Sequence, residues 1–94
     1  MNALEIKVFA NFREICGAKI VTVDATDGDS ILAVLKQLIT LFPKMKDELF
    51  TDQYELKPMN HVFINGKNIM YLEGLQTTVS KKDKIALFPP VAGG

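Results

Sequence analysis

A single cysteine, Cys16, stands in the whole chain, beside a single histidine, His61, and a single arginine, Arg13. One cysteine forms no internal disulfide, and with one histidine it leaves no cluster for a metal centre. A reducing cytoplasm is the simplest setting for such a chain. Charge of one sign is also missing, since 11 Lys plus Arg balance 11 Asp plus Glu. That balance argues against a nucleic-acid binder, which depends on phosphate neutralisation, and against a polybasic membrane anchor. No apolar run approaches the length of a membrane span, and the first residues lack a signal-peptide pattern. A Gly-rich phosphate loop is absent, and so is a pair of residues suited to acid–base catalysis. The expectation is a non-catalytic protein with no bound cofactor or metal, whose chemistry is supplied by partners.

What is there reads as one domain. The 94 residues are 48% hydrophobic, enough for a modest core without staples. Leu4-Glu5-Ile6-Lys7-Val8 alternates strictly, predicting a strand with Leu4, Ile6 and Val8 inward. Asn11 to Cys16 breaks the alternation and reads as a loop, with a turn at Gly17. The β-branched run Ile20-Val21-Thr22-Val23 predicts a second strand, antiparallel to the first. Asp27 to Ser30 supplies N-cap residues. Ile31, Val34, Leu35, Leu38, Ile39 and Phe42 follow at spacings of three and four, the stripe of an amphipathic helix. Pro43 ends it, because the residue before a proline avoids helical geometry. One further short turn is expected before Phe50, then a polar loop over residues 51–60.

His61-Val62-Phe63-Ile64 predicts a third strand. Asn65-Gly66 is the strongest hairpin signal in the chain and favours a type I′ turn. Residues 67–70 are expected to return as a short fourth strand, residues 72–78 to be irregular, and Ile85 to Phe88 to form the last strand. The order strand, strand, helix, strand, short strand, strand predicts an α+β domain. It is the order of the β-grasp, or ubiquitin-like, fold: a mixed four- to five-stranded sheet with one main helix on one face. The domain is expected over residues 1–88, with a flexible, extended tail over residues 89–94.

That tail is Pro89-Pro90-Val91-Ala92-Gly93-Gly94. Two prolines end strand pairing, favour an extended exit and reduce the entropy lost on docking. Six extended residues reach roughly 20 Å, at about 3.3–3.6 Å each. Gly93 and Gly94 carry no Cβ, so the end can lie against another backbone or enter a narrow channel.

Val8-Phe9-Ala10 with Phe12-Arg13-Glu14-Ile15-Cys16-Gly17, the hairpin Phe63-Ile64-Asn65-Gly66, and Asp83 to Gly94 with its Pro-Pro-Val-Ala-Gly-Gly end resemble the MoaD/ThiS sulfur carriers. The ending is most like that of MoaD, the small subunit of molybdopterin synthase. Residues 51–60 are longer than in compact members, and Ala92 stands where Ser or Thr is common. The resemblance implies that an E1-like adenylyltransferase uses ATP to adenylate Gly94. It implies that a sulfur-donor protein then converts the adenylate to a thiocarboxylate. The large subunit of molybdopterin synthase would receive that sulfur. A ubiquitin-like modifier joined through Gly94 to lysines stays open, as do carriers for thiamine or tRNA thiolation and a plain interaction domain.

Strand parity turns Phe9, Phe63 and Phe88 away from the core residues. In a β-grasp fold the first and last strands are neighbours, so Phe9 and Phe88 should meet. Such an exposed aromatic patch marks an interface, and the family resemblance assigns it to the partners. The family resemblance implies that Arg13 reaches a partner's acid with its fork of donors, and a solvated surface charge stays open beside it. Cys16 reads as a small packed hydrophobe and His61 as structural or solvated. Lys81, Lys82 and Lys84 read as a solubilising turn.

Overall fold

Strand β1 (Ala3–Val8) lies at the heart of a sheet whose strand order is β2-β1-β5-β3-β4. The computed structural model describes residues 3–90. β1 pairs antiparallel with β2 (Ile20–Asp24) and parallel with β5 (Ile85–Phe88). β3 (His61–Ile64) runs antiparallel to β5 and turns back into β4 (Lys67–Asn68). This is the expected β-grasp arrangement, with five strands and mixed pairing.

The alternation in the sequence becomes the two faces of this sheet. Leu4, Ile6, Val8, Val62, Ile85 and Leu87 are essentially sealed from solvent. The main helix, α2 (Ile31–Leu41), lays Ile31, Val34, Leu35 and Leu38 into the same core. Truncating one of them, as in Leu38→Ala, costs about 2–5 kcal/mol, transfer and cavity together. Ser30 caps the helix: its side-chain oxygen accepts the Ala33 N–H at 3.1 Å. Phe42 ends it outside helical geometry, φ −130° and ψ 82°, in keeping with the bias of a residue before proline away from the helical region. The short turn predicted next is α3 (Met45–Leu49), whose Met45 and Leu49 sit four apart and are buried.

Two local expectations are overturned. Asn11–Cys16 is a helix, α1, not a loop. Phe12 and Cys16 are four apart, so one helical turn buries both, and Gly17 closes it with φ 70°. Residues 67–70 do not form a full strand. Only Lys67–Asn68 pairs. The Asn68 side chain then accepts the Met70 N–H at 3.0 Å, and the chain coils into a 3₁₀ turn, Ile69–Tyr71, that buries Ile69. The hairpin signal holds: Asn65 and Gly66 both have positive φ, 51° and 86°, as type I′ requires. Residues 51–60 form the expected loop, whose first half, 51–55, is closed by a bridge between Phe50 and Leu56.

Candidate functional site

On the face of the sheet opposite α2, the parity of three strands brings three aromatic rings together. Phe9 follows β1, Phe88 ends β5, and Phe63 lies in β3 beside it. The Phe9 and Phe88 rings stack, with centroids 4.3 Å apart and planes 10° from parallel. Phe63 meets Phe88 edge-on at 5.3 Å and 76°. All three are half-buried, neither sealed in the core nor fully open to solvent. Each pair contributes about 0.5–1.5 kcal/mol beyond the area it buries.

The backbone that delivers Phe9 is unusual. Ala10 has φ 52° and ψ −132°. That lies close to the first central position of a type II′ turn, about +60° and −120°, which favours glycine. The turn runs from Phe9 to Phe12 and is closed by the Phe12 N–H donating to the Phe9 carbonyl at 3.0 Å. An alanine held there stores on the order of 1–3 kcal/mol of strain. The turn ends β1 and starts α1, which carries Arg13 back over the ring. The Arg13 Nε–H donates to the Val8 carbonyl at 2.8 Å, and the guanidinium lies 5.0 Å from the Phe9 centroid. Lys7 approaches the same ring at 5.8 Å.

Two concavities flank the Phe88 ridge. A groove of about 810 Å³ runs between Phe9, Ala10 and His61 and is lined by Pro89 and Pro90. Across the ridge, a hollow of about 370 Å³ lies among Lys7, Ile20, Phe63 and Lys84. The surface is thus apolar at its centre, with Lys7, Arg13 and Lys84 around it. Glu5 also lines the second hollow, so the rim carries both signs of charge.

Pro89, expected as the first residue of the tail, is buried, and Pro90 is exposed. Val91, Ala92, Gly93 and Gly94 lie outside the described residues. Arg13, expected to reach a partner's acid, is half-buried with its guanidinium over the Phe9 ring. His61 lines the groove, and its Nδ1 lies 3.2 Å from the Asn68 side-chain amide. Sequence reading missed Ala10, Lys7 and Ile20 at this surface. Only the strict alternation of β1 and β2, which turns Lys7 and Ile20 outward with Phe9, could have found the last two.

Cys16 is buried, and burial pushes its thiol above the ordinary value. Cys16 packs in the core beside Phe12, and a thiol raised in this way is a weaker nucleophile at neutral pH. Among the described residues no three His, Cys, Asp or Glu side chains gather as a metal site would need. No helix there is long and apolar enough to cross a membrane.

Comparison with known proteins places this surface in context. A model of the ThiS family matches residues 6–94. Small archaeal modifier protein 3 of Haloferax volcanii is 35% identical over 91 residues, covering 97% of this chain and 98% of that protein. A proposed sulfur carrier protein of Archaeoglobus fulgidus is 34% identical over 70 residues, 70% of this chain and 80% of its own. The crystal structure of SAMP1 from Haloferax volcanii superposes with a TM-score of 0.87 at 32% identity, covering 98% of this chain and 99% of that one.

Proposed function

The chain belongs to the ThiS family of ubiquitin-like sulfur carriers and modifiers, and from that premise we propose that its body is a handle and Gly94 its reactive group. An E1-like enzyme holds the Phe9, Phe63 and Phe88 face and adenylates Gly94. The observation that carries this reading is the aromatic face itself, which ends at Phe88 and leads directly into Pro89 and Pro90.

The chemistry follows from the carboxyl group. With a pKa of about 3.3–3.7, an α-carboxyl is ionised at neutral pH and is a poor electrophile. Attack of a carboxylate oxygen on the α-phosphorus of ATP forms an acyl-adenylate and releases pyrophosphate. Sulfide (HS⁻) from a sulfur source then attacks the acyl carbon and displaces AMP, so that one carboxyl oxygen is replaced by sulfur with no change of oxidation state. The thiocarboxylate passes that sulfur to the dithiolene of molybdopterin, in the large synthase subunit. The Pro-Pro-Val-Ala-Gly-Gly end supports this acceptor over thiamine or tRNA thiolation.

A second reading is favoured by the names of two relatives, small archaeal modifier protein 3 and SAMP1. Here a lysine amine of another protein attacks the same adenylate and forms an isopeptide bond. Intact mass after incubation with an E1-like enzyme, ATP and a sulfur source tests the first reading. Exchange of one oxygen for sulfur is expected. An unchanged mass, with the enzyme active on a known carrier, would refute it. Higher-mass conjugates in cells that vanish when Gly93 and Gly94 are deleted would establish the second.

A further inference from the structure

We infer that Arg13 is a positioning residue, which braces Phe9 against Phe88 and thereby sets the root of the tail. This rests on the carrier reading above but assigns Arg13 a task inside the protein, not a charge contact with a partner. Three contacts form a chain. The Arg13 Nε–H is tied to the Val8 carbonyl at 2.8 Å, one residue before Phe9. Its guanidinium carbon lies over the Phe9 ring, 5.0 Å from the centroid. The Phe9 ring in turn lies on Phe88 at 4.3 Å, and Phe88 is followed by the buried Pro89.

The fork of Arg13 suits this task better than an ammonium would. A guanidinium is planar and stacks on an aromatic ring while its Nε–H still donates sideways. Lysine has a point charge and no Nε–H, so it cannot do both. The turn at Ala10 explains why a brace is needed. Its φ of 52° is a conformation alanine resists, and it lies between Phe9 and the helix that carries Arg13. Without Arg13, relaxation of that turn swings Phe9 off Phe88. The fraction of molecules with Phe9 seated on Phe88 then falls, and apparent affinity for the activating enzyme falls with it.

The test compares Arg13→Lys with Arg13→Gln, using the isolated protein and an E1-like enzyme shown to be active on a known carrier. In the isolated protein, NMR should show the Phe88 ring protons moving downfield in both variants, as the stacked Phe9 ring leaves them. The backbone amide spectrum of the sheet should stay native. In the adenylation assay both variants should raise KM for the carrier about fivefold, the worth of the lost Nε–H bond to the Val8 carbonyl, with kcat unchanged. Unmoved Phe88 resonances would overturn the inference. So would wild-type KM in Arg13→Lys with a raised KM in Arg13→Gln, because retained charge would then suffice. Failure of the enzyme to adenylate wild-type Gly94 would refute the carrier reading alone, since the ring resonances still decide whether Arg13 sets the stack.

Discussion

Phe9 lies flat on Phe88, ring centroid to centroid 4.3 Å, although 79 positions of sequence numbering separate them (88 minus 9). The parallel pairing of β1 with β5, in the register Val8↔Leu87, carries the two rings to the same level of the sheet. A double-mutant cycle measures the contact. Phe9→Ala and Phe88→Ala are each expected to lower stability, with a coupling of about 0.5–1.5 kcal/mol in denaturant unfolding. A coupling near zero would mean that the rings merely sit side by side.

Ala10 gives a prediction of opposite sign to the usual one. Glycine in a helix or strand normally destabilises, but at φ 52° and ψ −132° it removes strain. Strain relief of order 1–3 kcal/mol outweighs the extra unfolded-state entropy of glycine, about 0.4–1 kcal/mol. Ala10→Gly should therefore raise the denaturation midpoint, and Ala10→Val should lower it, since a β-branched residue resists positive φ more strongly. A lower midpoint for Ala10→Gly would show that the turn is unstrained.

Most of the architecture was legible in the sequence, because it rests on period. Alternation at Leu4, Ile6 and Val8, three-four spacing from Ile31 to Leu38, and Asn65-Gly66 are local signals, and each predicts its element. The aromatic face was legible too, since parity fixes which way Phe9, Phe63 and Phe88 point once the topology is known. What escaped is shorter than a period. One turn of helix at Asn11–Cys16 has only Phe12 and Cys16 to announce it. The end of β4 depends on a side-chain cap by Asn68, and the engagement of Arg13 depends on a three-dimensional return of the chain. Neither leaves a pattern in the order of residues. The burial of Pro89 is likewise a tertiary fact that a proline-rich composition conceals.

Cys16 makes stability depend on alkaline pH. Its thiol is pushed up from the ordinary value of 9.0 by burial. The folded state therefore holds this proton more tightly than the unfolded state does. The contribution to stability is fully present below the unfolded value and is lost as pH rises through the folded one. Denaturation midpoints from pH 8 upward should fall for the wild-type chain on the order of one proton's linkage. Cys16→Ala should remove that slope while lowering stability at neutral pH through the lost packing. Alkylation by iodoacetamide should be slow in native buffer and fast in denaturant.

Asn65 ties two turns together. Its Nδ2 donates to Asp83 at 2.9 Å, and its Oδ1 accepts the Lys84 N–H at 2.9 Å, at the entry to β5. It also occupies φ 51°, which asparagine tolerates better than alanine does. Asn65→Ala should cost about 1–3 kcal/mol, the two hydrogen bonds and the conformational preference together. Asn65→Gly should recover part of that loss, because it restores the backbone preference and not the bonds. Equal losses for the two variants would place the whole effect in the side-chain bonds.

Handle and reactive group separate in a pair of variants. Phe88→Ala removes the centre of the aromatic face but leaves Gly93 and Gly94 intact. A central, well-packed aromatic at an interface is worth about 2 kcal/mol or more on truncation, a weakening of roughly 30-fold. Binding to the activating enzyme, measured by calorimetry, should fall by that factor, and adenylation should return at high carrier concentration. Gly94→Ala does the reverse. The face is untouched, so binding should stay within a few-fold, but the new Cβ sits at the reacting carbonyl and adenylation should fail at any concentration. Loss of binding in Gly94→Ala would mean that the tail, and not the sheet face, supplies most of the affinity. Retained binding in Phe88→Ala would move the docking surface elsewhere on the domain.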